Sequence, residues 1–268
     1  MRKLSYTFHL LIILSFLLFT ASHTPAQSKH RDASLPDTSY AIALFGKAKE
    51  AMNNGRFDSI GFWIGKALPI FKSSKQWEYQ VRSYHVLCGV NYKTRKNQLA
   101  EQFLDSALQI LTIKTDSSDH LYAPYYHNRA TVAYVSGDYE TAKKYFFEAI
   151  DIYNRYPADK RESIISSYNN LGLSFSQLRD HENAVTFLEK CLELNLRYNA
   201  ENEYLIGRNH NNLGMAYFQK GHSEAESYGF DFNQSESYQK AENHYQKALD
   251  NYLSQRNIRR RKHGQIII

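Results

Sequence analysis

Between Tyr168 and Leu194 apolar side chains recur at helical spacing along two successive stretches, YNNLGLSFSQ and HENAVTFLEKCLEL. The pattern predicts two amphipathic helices joined at Leu178-Arg179-Asp180. Small residues at Gly172, Ala184 and Cys191 sit among the large apolar ones at Leu171, Phe175, Phe187 and Leu188. Small side chains let two helix backbones approach to about 8–10 Å and large ones fill the seam, so the stretch reads as a helical hairpin.

The hairpin recurs at a step of 42 residues. Ala100, Ala142 and Ala184 form one column, and Ala107, Ala149 and Cys191 another. Leu108, Ile150 and Leu192 follow the same step. On the first helix Cys88, Ala130, Gly172 and Gly214 align, beside Leu87, Arg129, Leu171 and Leu213. An earlier, weaker unit occupies about 41–72, with Ile60 where a small residue is expected and Pro69 expected to end or bend its second helix early. Repeats two to four fall at about 81–114, 123–156 and 165–198, separated by polar connectors such as 115–119 and 157–160. A fifth unit starts near Gly207, but Ala248 lies about fifteen residues later than the step requires, which places an insert at about 222–237.

These residues resemble the tetratricopeptide repeat, in which a Leu-Gly pair, a later aromatic, a Gly-x-aromatic turn and Ala-aromatic-Ala positions define each hairpin. Leu213-Gly214, Tyr217 and Gly221 carry the first part; Gly137-Asp138-Tyr139, Ala142, Phe146 and Ala149 carry the second. The usual period is about 34. A step of 42 is similar to the repeats of kinesin light chains and of some bacterial peptide-sensing regulators. The resemblance covers about residues 40–255 and implies an all-α, right-handed solenoid of about five hairpins, with peptide or protein binding as the expected activity.

Outside the repeats, Met1 to Ala26 carries Arg2 and Lys3, then LLIILSFLLF at 10–19, then a small-residue stretch ending Thr24-Pro25-Ala26. The apolar run is half the length of about 20 residues that a membrane span needs, so a cleaved export signal is expected, with cleavage after Ala26 and Ser22 as second choice. That points to a bacterial periplasm or to secretion, with no stable membrane anchor. Residues 27–39 are a polar leader, and 256–268 a basic tail.

The net charge of +6 comes largely from those ends. Of 33 basic residues, Arg2 and Lys3 belong to the signal, and Arg256, Arg259, Arg260, Arg261 and Lys262 to the tail, leaving the body near neutral against 27 acidic residues. No basic face argues for nucleic acid. Cys88 and Cys191 occupy small-residue columns two repeats apart, too distant for a bridge, and read as buried thiols. No metal-ligand spacing, phosphate loop or nucleophile motif is present, so neither a cofactor nor an enzyme is expected.

The columns that suit binding lie on the first helix of each hairpin, which lines the concave groove in tetratricopeptide repeat proteins. One column holds Val86, Asn128, Asn170 and Asn212, and its neighbour holds His85, His127, Asn169 and Asn211. Another holds Tyr92, Tyr134, Ser176 and Phe218, and the outermost Arg82, Pro124, Ser166 and Arg208. The asparagines resemble the ladder that grips the backbone of an extended peptide. A carboxamide both donates and accepts, so it can pair with peptide N–H and C=O whatever the side chain. The alternative reading is the sensing ectodomain of a larger histidine kinase, transcription regulator or caspase-like protease, with a downstream domain or a partner covering the C-terminal end.

Overall fold

The structure is a computed structural model that describes residues 37–114, 119–156 and 161–262. The expected signal at 1–26 lies outside the described residues, as do nearly all of the leader, most of the two polar connectors and residues 263–268.

Ten α-helices occupy the described residues: α1 Thr38–Asn53, α2 Phe57–Ser73, α3 Trp77–Lys93, α4 Asn97–Ile113, α5 Asp119–Val135, α6 Tyr139–Arg155, α7 Arg161–Gln177, α8 His181–Tyr198, α9 Glu203–Tyr228 and α10 Glu236–Lys262. They pair as consecutive hairpins, and each first helix starts a few residues ahead of the repeat frame drawn from the sequence. The small-residue column of the second helices, Ala67, Ala107, Ala149, Cys191 and Ala248, is buried throughout. Gly172 shows why small residues are required: a Cβ there would stand 2.7 Å from Leu188 Cγ and 3.1 Å from the Ala184 carbonyl oxygen.

The turns inside the hairpins repeat one chemistry. The second residue after the first helix adopts a left-handed φ at Gly55 (68°), Arg95 (61°), Gly137 (83°) and Arg179 (61°). The next N–H reaches back five residues, from Arg56 to Ala51, Lys96 to Asn91, Asp138 to Ala133 and Asp180 to Phe175, at 2.8–3.0 Å. This is the Schellman closure, which satisfies carbonyls left over at a helix end. Asp138 and Asp180 then cap the following helices by accepting from the N–H of Thr141 and Asn183.

Three expectations need correction. Pro69 does not end its helix, because α2 runs through it to Ser73. Pro69 and Gly65 both lie on the exposed face, where the carbonyl that loses its partner meets water. Gly221 is not a turn residue: α9 continues past it for two turns and stops at Gly229, whose φ is 70°. A Cβ at Gly221 would come within 3.1 Å of Ser235 Oγ and 3.2 Å of Tyr238 N, so its role is close approach. The insert is therefore a helical extension and a return segment containing a 3-10 turn at Phe232–Gln234. Lastly, the basic stretch from Arg256 to Lys262 continues α10.

First helices touch one another along the stack, α3 to α5, α5 to α7 and α7 to α9, whereas second helices meet less closely, as where Phe147 of α6 lies edge-on to Phe187 of α8 at 5.5 Å. The stack therefore curves with first helices inside. At its far end Tyr245, Leu249 and Leu253 are 38, 50 and 46% exposed on α10. They stand in register with Leu188, Leu192 and Leu196, of which the first two are covered by the next hairpin.

Candidate functional site

The inner face is built from positions spaced i, i+3 and i+7 on each first helix, which align on one side of a helix. Arg82 is half-buried and pairs with Glu78 at 3.6 Å; Arg208 is exposed. Tyr92 and Tyr134 are half-buried, and Phe218 is 43% exposed. Between these levels runs a column that the sequence reading passed over, Gly89, Thr131, Leu173 and Met215, ending in a methionine 42% exposed. Its signal was the same 42-residue step.

The asparagine columns do not all face outward free. Asn212 Nδ2 donates to Asn169 Oδ1 at 2.9 Å, Asn169 Nδ2 donates to Asn170 Oδ1 at 3.0 Å, and Asn128 Nδ2 donates to the His85 carbonyl at 3.3 Å. Each bond of about 43 residues' separation ties one first helix to the next. Asn211, and the NH2 of Asn170, make no such bond among the described residues. The columns thus divide into amides that hold the repeats together and amides left available on the inner face.

The histidines are part of the packing. His85 is buried with Nε2 unpartnered, and burial, helped by Arg82, pushes its pKa down to about 3. His127 Nδ1 lies 2.8 Å from Ser167 Oγ, whose own proton goes to the Ser163 carbonyl at 2.8 Å. That makes His127 the donor, and burial holds its pKa at about 4. Behind the inner face, rings pair across each hairpin: Tyr84 with Phe103, Tyr126 with Tyr145 and Tyr168 with Phe187, at 5.7–6.2 Å. In the fifth hairpin His210 and His244 take these places, with Nδ1 atoms 2.9 Å apart. Both cysteines are free and buried, and burial raises their thiol pKa values to about 12 for Cys88 and 11 for Cys191.

A cleft of about 520 Å³ opens where the last two hairpins meet. The end of α7 supplies Ser176 and Gln177, the turn and α8 supply Arg179 and His181, and α9 supplies Phe218, Gln219, His222, Ser223 and Glu226. Ser176 and Phe218 belong to the aromatic column, so the cleft continues the inner face. Its far wall exists only because α9 is extended. No group of three metal-ligating side chains occurs among the described residues, and no helix there is long and apolar enough to cross a membrane.

A tetratricopeptide repeat family model matches residues 121–197 and 163–229. No curated protein matches the chain. Among solved structures, BtubC (BKLC) from P. vanneervenii is similar at a TM-score of 0.56 and 18% identity, over 84% of this chain and 93% of that one. A putative kinesin light chain with nearly identical repeats from Podospora anserina gives 0.55 and 16%, over 81% and 97%. A STAND signal-transduction ATPase with a tetratricopeptide repeat sensor from Pyrococcus horikoshii gives 0.62 and 18%, over 82% of this chain but 30% of that one. Residues 121–229 thus carry tetratricopeptide repeats, and with the same hairpin recurring before and after them the described chain has the fold of a tetratricopeptide repeat solenoid.

Proposed function

We propose that the protein is an exported scaffold that binds an extended peptide or protein segment along the inner face of its first helices. The observation that carries this reading is the inner face itself. It offers the free NH2 of Asn170 and the unengaged amide of Asn211 beside exposed apolar groups at Met215 and Phe218. Amides can pair with a peptide backbone, and apolar groups can cover alternate side chains. A repeat fold presents an extended concave surface suited to binding. Export rests on the basic, apolar and small-residue segments of Met1 to Ala26.

Random peptides displayed on phage and selected on the mature chain would supply a ligand. Asn170→Ala combined with Asn211→Ala should weaken the selected peptide at least tenfold with an unchanged melting curve. Equal binding by the variant would sink the groove reading. Export is tested separately, by the N-terminal residue of the native product, which should be Gln27.

The repeats of the STAND protein form the sensor of a longer chain. This favours, as a second reading, a sensing unit for a signalling output. A native product much larger than the signal-free chain, held in the membrane fraction, would support it over the free scaffold.

A further inference from the structure

The cleft between the last two hairpins is unlike the other hairpin edges, because one wall is an addition to the repeat. Across it, the turn after α7 presents Arg179 and the α9 extension presents Glu226. Arg179 is exposed and makes no salt bridge among the described residues. Its backbone is fixed in the left-handed region by the Schellman closure. Glu226 faces His222 at 3.4 Å, with both side chains more than half exposed, so that pair is weak in water.

The surrounding charges decide what can sit between these walls. Glu182 and Glu224 share Lys220, at 2.7 and 3.8 Å. The Asp180 carboxylate is occupied by Asn183, whose backbone N–H and Nδ2 both donate to it. A carboxylate entering the cleft would meet Arg179 but also this acidic surround. A cation would be drawn by Glu226 and this surround but would have to sit against Arg179, with Lys220 already between Glu182 and Glu224. A neutral dipole with a carbonyl at one end and N–H groups at the other gains from both walls and is repelled by neither. The remaining lining suits the same group, since Ser176, Gln177, Gln219 and Ser223 both donate and accept, and Phe218 gives a flat apolar side.

We infer that this cleft is a receptor for a carboxamide, the side chain of a glutamine or asparagine in the bound segment, with its C=O toward Arg179 and its NH2 toward Glu226. The inference rests on the groove reading, because the cleft continues the column of Ser176 and Phe218. It assigns the insert a role in selecting one position of the ligand.

The test uses blocked single residues, so it does not depend on finding the natural ligand. N-acetyl-glutamine N-methylamide is titrated into the isotopically labelled chain, and the side-chain resonances of Arg179, Gln219 and His222 are followed. Saturating shifts at both walls are expected, with affinity at least fivefold better than for the equally blocked glutamate or lysine. Arg179→Gln and Glu226→Gln should each lower affinity at least fivefold. Both residues are exposed, and their spectra should otherwise match the parent. Asn170→Ala should leave this titration unchanged, so failure of the groove and failure of the cleft are separable. Stronger binding by blocked glutamate would make the cleft an anion site, and by blocked lysine a cation site. Either result, or the absence of shifts, overturns the carboxamide assignment.

Discussion

Individual positions separate seam from surface. Ala142 is fully buried between helices, and replacing it with Leu should overpack the seam and cost about 1–3 kcal/mol. At Gly172 two effects compete: alanine favours a helix interior by about 1 kcal/mol, but its Cβ would sit 2.7 Å from Leu188 Cγ and 3.1 Å from a backbone oxygen. The backbone cannot give way as a flexible side chain can, so Gly172→Ala should be destabilising on balance. Asn170 is half-buried and only accepts, from Asn169, so Asn170→Ala should cost about 0.5 kcal/mol or less. Urea denaturation of the three variants tests this ranking, and an Asn170→Ala loss as large as that of Ala142→Leu would make the amide structural. The seam was legible in the sequence because small residues recur at the helix step. The hydrogen bond from Asn212 to Asn169 was not legible, since a column shows which residues are equivalent and not which of them turn toward a neighbour.

At the level of elements, one turn chemistry is used repeatedly and then abandoned once. Ser136-Gly137-Asp138 and Leu178-Arg179-Asp180 close a hairpin in three residues. In the fifth unit Gly221 begins the same way, but the following HSEAESY contains good helix formers and no stop signal before Gly229. The insert's position was therefore legible from the displaced Ala248. Its helical form was not, because Gly221 carries the turn signature while serving to bring Ser235 and Tyr238 close. Removing 222–236 would join Gly221 to Ser237 and Tyr238, restoring a Gly-Ser-Tyr turn with a serine able to cap the next helix. The shortened chain should fold with its helical circular dichroism reduced only by the residues removed. Collapse of the whole solenoid would show that the extension is a structural brace. The same variant should lose the Gln probe entirely, because the wall bearing Glu226 is gone.

Across the whole molecule, buried histidines link stability to acidity. His85, His127 and His210 lie in different hairpins, and burial lowers their pKa values to about 3, 4 and 4, with His244 and Lys247 adding to the shift at His210. In the unfolded chain each titrates near 6.5, so above that value both states are neutral and nothing is lost. As pH falls below 6.5 the unfolded state takes up protons that the folded state refuses, and stability drops by up to about 1.4 kcal/mol per pH unit for each histidine. The exposed carboxylates with lowered values, Asp138, Glu193 and Glu236, act only in a more acidic window, near the unfolded carboxylate range. Urea midpoints should therefore fall markedly from pH 7.5 to 5.5, before carboxylates contribute. The fifth hairpin supplies the control: His210→Tyr with His244→Phe recreates the Tyr168–Phe187 ring pair of the preceding hairpin. Because burial lowers the pKa of His244 as well as His210, that double variant should lose roughly two-fifths of the acid sensitivity while keeping its midpoint at pH 7.5. An unchanged slope would mean that the His210–His244 pair accepts a proton inside the fold, through a local opening of the last hairpin rather than unfolding of the stack.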